Sequence, residues 1–165
     1  MAANDFSATL PKVSILGCPA RGEADELALH MFRQLLDCTR YEVEVMSDAV
    51  LTSEVVALIG EKCPAMIFIA TVSPGGLAQT RYLCKRLRAR FPNLKIGVRQ
   101  WGMGSEDSHS ILLAGADRVG TTMLETREQV IQLCQISAHS EAQSVTTVPV
   151  HPLPKETLPP RSSPD

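Results

Sequence analysis

A doubly wound α/β domain with one parallel five-stranded sheet, in the flavodoxin-like order 2-1-3-4-5, followed by a disordered C-terminal tail, is the fold class the sequence predicts. Three observations carry this expectation. Strand-like and helix-like runs alternate five times with short connections, which calls for right-handed β-α-β crossovers. The stretch Ala65 to Ala70 is almost wholly apolar, as a central strand covered by helices on both faces must be. From His139 onward, six of the eleven prolines (149, 152, 154, 159, 160 and 164) stand among Ser and Thr without apolar periodicity, the composition of a tether that cannot bury a core. The expected organisation is an N-terminal arm over 1–11, a domain over 12–138 and a tail over 139–165.

Lys12 to Leu16 reads as the first strand. A helix from about Glu23 to Leu36 follows, with Leu27, Met31 and Leu35 and the small Ala24 and Ala28 near one face. Tyr41 to Met46 is the second strand. Leu51 to Gly60 is a short helix whose Val55, Val56 and Ile59 form a stripe and whose Gly60 is placed to cap it. Ala65 to Ala70 leads to a third helix over Gly75 to Arg90, and Leu94 to Val98 to a fourth helix over Ser105 to Ala114, with Ser105 as N-cap. Asp117 to Thr121 and Leu124 to Ser137 complete the fifth unit.

A chain of 165 residues with 44% hydrophobic content supports one domain with a real core. A net charge of -2 argues against a nucleic-acid binder held by phosphate contacts. The five cysteines, at 18, 38, 63, 84 and 134, are odd in number and include no C-x-x-C pair. They indicate neither a disulfide framework nor a zinc site, and they suit a reducing cytoplasm. Met1 to Pro11 lacks a signal-peptide layout, and no apolar run approaches the roughly 18 residues of a membrane span. The expected location is the cytoplasm or the inner face of the cell membrane.

Ligands of open α/β sheets sit beyond the carboxyl ends of the strands, where the strand order switches. The loops after strands 1, 3 and 4 therefore supply the candidate ligand contacts: Cys18 and Arg21; Ser73, Gly75 and Gly76; Arg99 and Trp101. This inventory is polar and basic but holds no matched acid–base pair. A phospho-receiver needs carboxylates after strand 1 and an Asp ending strand 3, where this chain has Cys18 and Thr71. A small cysteine phosphatase needs an Arg six positions beyond its Cys, and position 24 is Ala. Neither G-x-G-x-x-G nor G-x-x-x-x-G-K-[ST] follows any strand. The expectation is a domain that is not an enzyme and holds no metal.

Cys18 stands near a helix N-terminus with Arg21 close by, a setting that can favour a thiolate. No His or second Cys adjoins it in sequence, so the expected role is a small residue filling the turn before Pro19. Arg81, Lys85, Arg86, Arg88 and Arg90 make the third helix strongly basic, which reads either as a solvated face or as a contact for anionic headgroups or an acidic partner. His30 and His109 have no second ligand at metal-binding spacing.

The run Cys18 to Arg33, the strand Ala65 to Thr71, the loop Val72 to Leu77 and the turn Ala114 to Asp117 resemble the cobalamin-binding domain family over about Val13 to Leu133. More narrowly, Gly17 to Leu36 and Tyr82 to Pro92 look like the soluble cytosolic domain at the C-terminus of some permeases of the autoinducer-2 exporter family. In the cobalamin family a His after strand 1 coordinates cobalt from below. The resemblance puts that slot on Asp25, with Ala28 where a Gly is usual, or on Ala20 in a shifted alignment. The small Ser near the end of strand 3 and the Gly-Gly pair after strand 4, which let the cofactor's nucleotide tail slide in, fall on Ala70 and on Arg99-Gln100. The resemblance thus implies a cobalamin-binding-like domain that has lost its cofactor and serves as a regulatory or interaction module beside a membrane permease. The alternative is a sensor domain, one that binds cobalamin in a base-off or alternative-ligand mode, or one that holds an anionic metabolite between Arg21, Ser73, Arg99 and helix N-termini.

Overall fold

The computed structural model describes residues 12–72, 75–101 and 108–144, with side chains along the last helix described up to Leu133 and at Gln135. Strands β1 (Val13–Pro19), β2 (Tyr41–Val45), β3 (Met66–Thr71), β4 (Lys95–Gln100) and β5 (Arg118–Gly120) alternate with helices α1 (Glu23–Arg33), α2 (Thr52–Lys62), α3 (Leu77–Arg90), α4 (Ser108–Leu113) and α5 (Met123–Ser144). The sheet runs β2-β1-β3-β4-β5 and every pairing is parallel. This is the flavodoxin-like order the sequence predicts, and it puts the switch point between β1 and β3. No helix among the described residues is long and apolar enough to cross a membrane.

Strand alternation divides the core into two layers. Leu16, Cys18, Ile67, Ile69, Ile96 and Val98 face α2, α3 and α4, where Val55, Ile59, Leu83, Leu87 and Ile111 close over them. Ile15, Met66, Phe68, Ala70 and Trp101 face α1 and α5 and meet Leu29, Phe32 and Val130. All six residues of β3 are buried, as the apolar run from Ala65 predicts for a strand with helices on both faces.

Three strands run past the ends of their apolar runs. β1 continues through Cys18 to Pro19, β3 through Thr71, and β4 through Arg99 to Gln100. The parallel ladder carries them: Cys18 pairs with Ile69, Pro19 with Ala70, Ala70 with Arg99 and Thr71 with Gln100. Residues read from sequence as loop are therefore core, which corrects the candidate site below.

Helix α1 ends at Arg33, short of the expected Leu36, because its last turn tightens: Gln34, Leu35 and Leu36 donate to the carbonyls three residues back. Its buried face is Asp25, Ala28, Leu29 and Phe32. The expected stripe of Leu27, Met31 and Leu35 lies instead about 100° around the helix, in solvent. Both patterns recur at helical spacing, and the aromatic partners of Phe32 decide between them.

Gly60 is interior to α2 and is not its cap. The helix runs on to Lys62 and closes on Cys63, which adopts the left-handed conformation (φ 46°) and donates its N–H to Ile59 O. Helix α5 starts on two side-chain bonds: Thr122 Oγ1 accepts from Glu125 N, and Glu125 Oε2 accepts from Thr121 N. It continues to Ser144, six residues past the expected boundary at 138. The rest of the tail, the N-terminal arm and Ser105 lie outside the described residues.

The amino-terminal edge of the sheet is tied by Arg88. Its guanidinium donates to the carbonyls of Pro92, Leu94 and Gly115 and to Asp117 Oδ2, which also accepts from Ile96 N. The turn Ala114 to Asp117 is thereby fixed against α3, and Gly115 takes a φ of +111° where a β-carbon would meet Arg88.

Candidate functional site

Where β1 and β3 diverge, the loops at their carboxyl ends face each other across the head of α3. Asp25, buried in the first turn of α1, joins them. Its Oδ1 accepts from Val72 N (2.7 Å) and its Oδ2 from Arg21 N (3.1 Å). A short carboxylate at this depth pairs with one backbone donor from each loop. Asp25 is thus a structural brace between the two loops.

Beside this brace opens a cleft of about 470 Å³ between α2 and α3, lined by Arg21, Asp48, Thr52, Gly75 and Gln79 over a floor that includes Leu83. Gly75 holds a φ of +95°, and a β-carbon there would stand 2.8 Å from Arg21 Nη1. Glycine thus admits the guanidinium to the start of α3. A β-carbon on Gly76, the N-cap, would collide with Thr71 Oγ1. The two glycines let the helix begin directly against the end of β3. The first turn of α3 carries no acidic residue, so its N–H groups and the Arg21 charge point the same way electrostatically. Gln79 Nε2 donates to Thr52 Oγ1 at 3.4 Å across the mouth.

Arg21 and Gly75 come together in this cleft, with Gly76 and Asp25 packed behind it. Cys18, Arg99 and Trp101 do not join them. The Cys18 thiol is buried in the α2/α3 layer, donates to Met46 Sδ at 3.3 Å, and is pushed well above the ordinary thiol range by that burial. It is core, not a ligand contact. Ser73 lies outside the described residues.

Arg99 is fully buried on the opposite face of the sheet, under α1 and α5. Its guanidinium carbon stands 4.6 Å from the centre of the Phe68 ring, and Nη1 donates to Gln129 Oε1 at 2.6 Å. Among the described residues, Nε and Nη2 have no hydrogen-bond partner. Burial pulls this guanidinium down to about 9, with the nearby Glu125 carboxylate opposing the fall. The slot exists because small residues flank it. Arg99 pairs with Ala70 on one side and Gly120 on the other, and a β-carbon on Gly120 would lie 2.6 Å from Nη1. Gly97, two residues earlier on the same face, would put a β-carbon 2.5 Å from Phe68 Cε1 and 3.1 Å from Arg99 Nη2. Trp101 completes this layer, tilted against Phe32 and donating Nε1 to Thr126 Oγ1 at 3.3 Å.

An anion held jointly by Arg21 and Arg99 is therefore corrected by the structure: the two guanidinium groups belong to opposite layers. Sequence reasoning missed Thr52 and Gln79 in the cleft and Gln129, Thr126 and Glu125 around Arg99. The pairing of Arg99 with two small residues was the available signal, and it becomes visible only once β4 is extended to Gln100. Among the described residues, no three His, Cys, Asp or Glu side chains cluster as a metal would require.

Fold and site together define a doubly wound, flavodoxin-like α/β domain with a crevice at its β1/β3 switch point. Solved structures share that fold at low identity. A cobalamin-binding protein from Desulfitobacterium hafniense DCB-2 matches with a TM-score of 0.62 and 17% identity, over 73% of this chain and 58% of that one. The receiver domain of the Francisella response regulator 1452 matches with a TM-score of 0.59 and 18% identity, over 76% of this chain and 99% of that one. NtrX from Brucella abortus, in complex with ATP, matches at 0.59 and 15%, over 90% of this chain. The chain spans 58% of the length of the cobalamin-binding protein and 32% of NtrX. No family model matches the sequence, and no curated protein matches it significantly.

Proposed function

We propose that this chain is a non-catalytic regulatory or interaction domain, built on a cobalamin-binding-like frame and filled by its own side chains, which acts beside a membrane permease of the autoinducer-2 exporter type. The observation that carries the reading is Arg99. A buried, partly unpartnered guanidinium occupies the strand position where the resemblance expects glycine and a path for the cofactor's tail. At the other end of the frame, the slot expected to hold a cobalt-binding imidazole holds Asp25, whose two oxygens brace backbone N–H groups. The residues present do not fit the cofactor. The permease partner is supported by the resemblance of Gly17 to Leu36 and Tyr82 to Pro92.

Titration with hydroxocobalamin tests the cofactor-free reading. No change in the cobalamin visible spectrum is expected, and a saturable change at one equivalent would overturn it. A second reading, a sensor for a small anion, is favoured by Arg21 beside Gly75 at an acid-free helix start. It predicts that inorganic phosphate raises the melting temperature and that Arg21→Ala removes the effect. A rise that survives Arg21→Ala would come from elsewhere.

A further inference from the structure

The third helix bears a face that neither reading uses. Its fourteen residues include five cations and no carboxylate. Arg88 is committed to the loop carbonyls and Asp117. Arg81, Lys85, Arg86 and Arg90 are exposed, and none is in an ion pair among the described residues. They span an arc centred on Tyr82, which is half-exposed and accepts from Arg86 Nη1 at 3.3 Å. On the neighbouring α4, Leu113 is 75% exposed and Leu112 43%. A shallow recess of about 530 Å³ between the helices is lined by Arg81, Tyr82, Lys85 and Leu113.

We infer that the α3/α4 face is a docking surface for an anionic lipid bilayer. Four like charges along a helix about 21 Å long match a plane of headgroups better than one small ligand. Leu113 and Tyr82, which share the recess with Arg81 and Lys85, supply what an interface rewards: apolar surface beside cations. The remainder of the chain is net acidic, so a like-charged membrane would orient the domain with this face inward. The inference does not rest on the permease or on the cleft.

The test is co-sedimentation of the full chain with large unilamellar vesicles, in low salt, made of phosphatidylcholine alone or of phosphatidylcholine and phosphatidylserine at about 70:30. Each cation near such a surface is worth about 1 kcal/mol, or roughly fivefold in affinity. The wild-type chain should therefore bind the anionic vesicles at least about 100-fold more tightly than the neutral ones. The triple variant Arg81→Gln, Lys85→Gln, Arg86→Gln should lose about 100-fold, and Leu113→Ser a smaller factor on both compositions. These side chains are exposed, so unchanged far-ultraviolet circular dichroism serves as the folding control. Equal binding to both vesicle types, or binding that the triple variant keeps, would overturn the inference. So would failure on vesicles together with Arg81- and Lys85-dependent binding to polyglutamate, which would assign the face to an acidic protein.

Discussion

Replacing Arg99 with Met removes a buried charge at nearly constant volume, and its effect can be worked from the structure. Burial brings the guanidinium down to about 9, more than three pH units below its usual place. At about 1.4 kcal/mol per pH unit, that is a cost of roughly 5 kcal/mol to folding at neutral pH. The stacking on Phe68 offsets about 2 kcal/mol and the charged bond to Gln129 about 2 kcal/mol. Arg99→Met is therefore expected to stabilise the domain by about 1 kcal/mol at pH 7, the direction seen when buried ions give way to packed apolar groups. In melting temperature this is a rise of roughly 3–5 °C. The pH dependence has a definite sign. The folded value is depressed relative to the unfolded one, so the penalty is fully present below about pH 9 and relieved above it. The advantage of the variant should shrink between pH 8 and 10.5. Urea unfolding followed by circular dichroism at both pH values measures it. A variant destabilised by more than 1 kcal/mol, or an advantage that grows with pH, would refute the reasoning.

Iodoacetamide at pH 8 should label Cys38 and Cys63, which are exposed, while Cys18 and Cys84 stay unmodified in the folded protein; peptide mass spectrometry reads this out, and rapid labelling of Cys18 would contradict its burial. Burial also raises Cys84 to about 12, so its contribution to stability is present below the ordinary thiol value and lost as pH climbs above about 9; Cys84→Ala should flatten the alkaline fall. Gly97→Ala, with its β-carbon 2.5 Å from Phe68, is expected to destabilise by about 2–3 kcal/mol in the same urea assay. Asp25→Ala leaves Arg21 N and Val72 N unsatisfied and should cost about 2–4 kcal/mol, with hydrogen exchange at those two amides rising more than in the rest of the core.

The sheet was legible because apolar runs and their spacing report what a buried parallel strand requires. Ala65 to Ala70 located β3 to within one residue, and the order of strands followed from the number of repeats. The site was less legible, since a strand's carboxyl end is set by ladder pairing with its neighbours and not by its own apolar content. Thr71, Arg99 and Gln100 are strand residues because each has a paired partner, and nothing local in Val98-Arg99-Gln100 announces this. The exposed stripe of Leu27, Met31 and Leu35 misled for the converse reason. Periodicity identifies an apolar face, but only Phe32 meeting Phe68 and Trp101 shows which face is inside. Asp25 was marked by its place in the resemblance, while its role as a brace depends on Val72, a contact 47 residues away.

The Arg88 cluster has a wider consequence. By anchoring four acceptors at the amino-terminal rim, a single side chain ties the turns before β4 and β5 to the end of α3. The turn Ala114 to Asp117 and the approach to β4 are thus held at the rim away from the cleft, so a change of side chain at Arg21 or Gln79 leaves this tie untouched.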